Sequence, residues 1–78
     1  MKRNRNFYIL VQDGNKLIFV TELDNSTKNV YWNYKQPPLK LAHSYAEDIV
    51  EGLSINGYRA FVFESLYPIE KQIFYKEN

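Results

Sequence analysis

Seventy-eight residues bound the chain to a single domain. Its formal net charge of +1, from ten Lys/Arg against nine Asp/Glu, excludes a strongly basic nucleic-acid binder and an acidic nucleic-acid mimic. With no cysteine and one histidine, disulfides, thiolate metal sites, thiol catalysis and most zinc or copper arrangements are also excluded.

A chain of this size buries only roughly 60% of the surface it exposes when unfolded. Small domains offset that with disulfides, metals or oligomerisation. Self-association is the supplement the composition leaves open. The lack of cysteine fits a reducing compartment. Met1 to Arg5 is basic enough for a signal peptide, but the apolar run Phe7 to Val11 is too short for a signal core or a membrane span. The expected location is the cytoplasm.

Residues 1–6 mix Lys2, Arg3 and Arg5 with Asn4 and Asn6 and are expected to form a basic tail. Phe7 to Val11 is β-branched and aromatic, as a strand requires. Asp13-Gly14 marks a hairpin, because glycine reaches positive φ at little steric cost. Lys16 to Leu23 alternates: Leu17, Phe19, Thr21 and Leu23 share one face, Lys16, Ile18, Val20 and Glu22 the other. Asp24 to Thr27 is a turn by composition. Val30 to Tyr34 reads as a third strand, so residues 7–34 form a three-stranded meander, ended by Pro37-Pro38.

Ser44-Tyr45-Ala46-Glu47 has the spacing of a capping box. Ala46, Ile49, Val50 and Leu53 follow at i, i+3, i+4 and i+7, which places an amphipathic helix over residues 45–56 with Gly57 as its stop. Tyr58 to Ser65 carries apolar residues on both faces, with Tyr58, Ala60 and Val62 on one and Phe61 and Phe63 on the other. That pattern predicts a central strand covered on both sides. Ile69 to Tyr75 reads as a further strand after Pro68, and 76–78 as a polar end. The fold class is therefore α+β: an antiparallel sheet of four to five strands in the order βββαβ, with a last β, and one helix on one face. The domain spans residues 7–75.

No catalytic constellation emerges. His43 is the only ordinary base and stands beside the helix start without a nucleophile motif. Asp48 and Glu51 lie on the polar side of the helix, and Glu64 is expected to point to water, with a cross-strand pair to Arg59 or Lys71 as the alternative. Gly14, Gly52 and Gly57 form no phosphate cradle. Asn25-Ser26-Thr27 matches a glycosylation pattern but reads as a polar turn. The expectation is no enzyme, no cofactor, no metal and no membrane.

Aromatic residues carry the positive signal: seven Tyr, five Phe and one Trp make 17% of the chain. One helix covers one face of a sheet, and each buried aromatic occupies roughly 150–250 Å². The other face needs the connector, the C-terminal segment or another molecule. Tyr8, Tyr31, Trp32 and Tyr34 are the candidate partner-binding residues, for a protein partner or a second copy. The alternative is single-stranded nucleic acid, held by Lys2, Arg3, Arg5 and Arg59 with sheet aromatics stacking on bases.

The stretch Lys40 to Leu53, followed by Asn56-Gly57-Tyr58-Arg59-Ala60-Phe61-Val62-Phe63, resembles the helix-to-strand unit of small proteins from Gram-positive phages and prophages. That resemblance covers about residues 7–65 and rests on a capping box, an apolar stripe and a glycine turn. It implies an accessory or inhibitor protein acting by protein contact, and it assigns no functional residue.

Overall fold

Asp13 and Lys16 face each other across a two-residue turn, and Gly14 takes φ 65° there. This hairpin joins β1 (Asn6–Asp13) to β2 (Lys16–Asp24). The computed structural model describes residues 5–27, 29–33 and 35–71.

At the far end of β2 the Asp24 carboxylate accepts the Ser26 amide at 2.9 Å, an Asx turn that reverses the chain. β3 (Asn29–Trp32) follows, then the helix α1 (His43–Ile55), β4 (Arg59–Ser65) and a short 3-10 turn, Ile69–Lys71. The strands form one antiparallel sheet in the order β3-β2-β1-β4, with α1 packed against it. The α+β class and the meander follow the sequence pattern. The strand predicted over 69–75 does not appear in its described part: Ile69–Lys71 is 3-10, and residues 72–75 lie outside the described residues, as does the polar end 76–78.

The position of β4 corrects the expectation. Among the described residues it pairs with β1 alone and is an edge strand, not a central one. Its two apolar faces mislead because, among the described residues, the Ala60 and Val62 face is the packed one, beneath α1. Phe61 and Phe63 are 50% and 38% exposed on the other face.

The core lies between α1 and one sheet face. Ile9, Val11 and Val20 meet Ala46 and Leu53 there, and Ile49, Val50, Ala60 and Val62 pack around them. The helical stripe is the one the i, i+3, i+4, i+7 spacing defines. Alternation along β2 holds as far as Val20. A bulge between Val20 and Glu22 then inserts Thr21 and reverses the parity, so Leu23 turns to the helix side.

The connector after β3 explains how α1 begins. Leu39 donates its amide to the Val20 carbonyl, and Leu41 donates to that of Phe7, both at 2.9 Å. Leu41 is thereby bridged to β1. Anchored so close, the chain turns helical at His43, whose ring stacks on Phe7 at 4.6 Å. Ala42 is the N-cap and makes no side-chain cap bond. The predicted capping box therefore does not form, because Ser44 already sits in the first turn. At the other end, Tyr58 donates to Leu53 and Gly57 to Ser54, the paired bonds of a Schellman stop with Gly57 at φ 93°.

Candidate interaction surface

The sheet has a second face, which α1 does not cover and on which, among the described residues, only the 3-10 turn rests. Register places Tyr8, Leu10 and Gln12 of β1 on it, opposite Phe63, Phe61 and Arg59 of β4. On the other side of β1, Phe19 and Leu17 lie opposite Leu10 and Gln12. Directly opposed residues point to the same face, so these side chains form one surface. Leu17 is 58% exposed, close to the values for Phe61 and Phe63. Phe19 is half-buried and meets Phe63 edge-on, with ring centres 5.5 Å apart. Tyr31 of β3 is exposed and paired with Glu22, which puts it on this face as well.

Tyr8 belongs to the same face by register but is completely buried. Its hydroxyl donates to the Glu70 carboxylate and accepts the Ile69 amide at 3.0 Å. The 3-10 turn thus caps this ring. Burial, and then the Glu70 carboxylate, push the phenol up to about 12. Tyr8 is a structural tyrosine, which corrects its place among the contact candidates. Sequence alternation could not show this, since its cover comes from a segment sixty residues away.

Trp32, by contrast, is on the helix side of the sheet, away from the open face. It pairs with Val20, donates Nε1 to Asp13 Oδ2 at 3.1 Å and meets Tyr58 edge-on at 5.4 Å. Tyr34 lies outside the described residues. Of the three predicted contact aromatics among the described residues, Tyr31 alone is both on the open face and exposed. Leu17, Phe61 and Phe63 are exposed on that face as well, and the two-faced pattern of 58–65 marks the phenylalanines as needing cover.

The cationic candidates are dispersed. Arg5 grips Glu64 with Nε and Nη2 at 2.5 and 2.9 Å, and its guanidinium lies 5.4 Å from the Phe7 ring centre. The pair holds the Glu64 carboxyl below the usual carboxylate range and Arg5 above its ordinary value. Arg5 and Asn6 are fastened to β4, since Asn6 is buried and its side-chain amide donates to the Ser65 carbonyl at 3.1 Å. The expected tail thus stops short of these two residues. Lys2 and Arg3 lie outside the described residues. Arg59 is exposed at the start of β4 and shares the open face with Phe61 and Phe63.

A cavity of about 570 Å³ lies between α1 and the β2–β3 side of the sheet. Leu23, Val30 and Trp32 form its sheet wall, and Tyr45, Ile49 and Leu53 its helix wall. It exists because α1 packs chiefly toward β4 and β1 and stands less closely over β3. Its one lining carboxylate is Asp48, while His43 is not among the lining residues and instead stacks on Phe7, 3.3 Å from Glu47. Among the described residues no three His, Asp or Glu side chains cluster as a metal site, and no helix is long and apolar enough to cross a membrane.

No family model, curated protein or solved structure matches this chain. The surface itself therefore carries the functional argument.

Proposed function

We propose that this protein is a non-enzymatic interaction module that binds another protein chain through the open sheet face and the neighbouring β4 edge. The supporting observation is the joint exposure of Leu17, Phe61 and Phe63 on one sheet face. Such a patch lowers its free energy when covered, at roughly 25 cal/mol per Å² of apolar surface removed from water. The resemblance of residues 40–63 to phage and prophage proteins points to an accessory or inhibitor role in the cytoplasm, with a host protein or a second copy as partner.

Phe61→Lys tests this reading. It places a charge at the centre of the patch and removes nothing from the packed core. Wild-type chain should retain a protein partner or another copy on an affinity column, and the variant should lose it at unchanged circular dichroism. Equal retention by both, or none by either, overturns the reading.

A second reading has one observation in its favour: Arg59 shares a face with two exposed phenyl rings, an arrangement suited to a base and its phosphate. Mixed single-stranded oligonucleotides should then shift the Arg59, Phe61 and Phe63 resonances, with affinity falling as salt rises. Absence of any salt-sensitive shift removes this alternative.

A further inference from the structure

The hydrogen-bonding pattern of β1 fixes which way the groups of β4 point. The Phe7 carbonyl accepts Leu41, on the side of β1 away from β4. Phe7 and Glu64 are therefore a non-hydrogen-bonded pair, and the amide and carbonyl of Glu64 point outward. By alternation Ala60 and Val62 point outward too. The Asn6 amide on the Ser65 carbonyl agrees, since it requires Ser65 to face β1. No described residue pairs with this edge, which offers the peptide groups of Ala60, Val62 and Glu64.

The two edges of the sheet differ. β3 is four residues long and joins β2 through a bulge, both of which discourage pairing. β4 is seven residues long, pairs with β1 in unbroken register, and contains neither Pro nor Lys. Its one carboxylate, Glu64, is neutralised by Arg5. Edge strands usually carry guards against pairing, and β4 has few.

We infer that β4 pairs antiparallel with β4 of a second copy, about a two-fold axis at Val62, to make a continuous eight-stranded sheet. The inference rests on the interaction reading above and names its partner. The strand is self-complementary in that register. Val62 meets Val62, and Ala60 meets Glu64 of the second copy, so every outward peptide group gains a partner. Phe61 lies opposite Phe63 of the second copy in the closer, non-hydrogen-bonded pairs, which brings both exposed rings of each chain into cross-strand contact. Arg59 meets Ser65, so no like charges oppose. Sliding by two residues either way shortens the overlap and sets Arg59 against Phe63, or Phe61 against Ser65. The two open faces lie on the same side and merge into one apolar surface.

Amide exchange on the full chain from dilute to millimolar concentration tests this, alongside sedimentation. Phe61, Phe63 and Ser65 should be protected throughout. Ala60, Val62 and Glu64 should become protected only as dimer forms, by about tenfold or more. A mixed-label sample should show a contact between the Phe61 and Phe63 α-protons of different copies. Glu64→Pro removes an amide that faces away from β1 and should shift the chain to monomer. Glu64→Gln, which breaks the Arg5 pair but keeps that amide, should still dimerise. A chain monomeric at all concentrations overturns the inference. So does a dimer in which these three amides stay unprotected. If that monomer loses a different protein partner on Phe61→Lys, the interaction reading survives alone; if it binds nothing, both fall.

Discussion

Tyr8 is held at its hydroxyl from two directions, by the Glu70 carboxylate and the Ile69 amide, while its ring is closed off from water. Ionising it would place a phenolate in a desolvated site beside a carboxylate. The folded chain therefore raises its pKa from the ordinary value near 10 to about 12. Because the folded value lies above the unfolded one, the stability linked to this group is complete below pH 10 and is lost as pH rises toward 12. Tyrosinate absorbance should show one component titrating near pH 12, and Tyr8→Phe should abolish it. The same substitution strands the Ile69 amide and should cost about 1 kcal/mol at neutral pH by urea unfolding. The mirror case is Glu64, whose lowered pKa gives a contribution present above the ordinary carboxylate range and lost as acid protonates it.

The helix α1 shows how unequal its two ends are as elements. Its stop is local: Gly57 reaches φ 93° and releases two amides onto Leu53 and Ser54. A Cβ at Gly57 would touch nothing within 4 Å, so substitution there meets backbone strain alone. Gly57→Ala should destabilise the protein by about 1–2 kcal/mol, read as a shift in the denaturation midpoint at unchanged m-value. Its start is tertiary, fixed where the Leu41 bridge to Phe7 delivers the chain to His43. A capping box two residues away is a weaker determinant than two backbone bonds to the sheet, each worth about 1 kcal/mol with the ordering they impose.

For the whole molecule, the decisive asymmetry is that one layer of helix serves a sheet with two apolar faces. Ile9 and Leu17 occupy opposite faces of adjacent strands; the first is wholly buried and the second is 58% exposed. Ile9→Ala should cost about 2–5 kcal/mol, whereas Leu17→Ser should stay within about 0.5 kcal/mol when the dilute chain is melted. A large loss at Leu17 under those conditions would mean that the open face is part of the folding core.

Local chemistry by itself determined the meander, the Asp13-Gly14 and Asp24 turns, the helix stripe and its glycine stop, because each depends on neighbours within about one helical turn or one hairpin. It also showed that aromatic surface exceeded what one helix can cover. It did not determine which strand lies at the edge: Phe61 and Phe63 look the same in sequence whether a layer covers them or not. Nor did it determine that Tyr8 is sealed by Ile69 and Glu70, that Trp32 turns to the helix side, or that Arg5 is tied to Glu64. Those depend on strand order, on a one-residue bulge that reverses side-chain parity, and on contacts across some sixty residues, all of which only the tertiary structure decided.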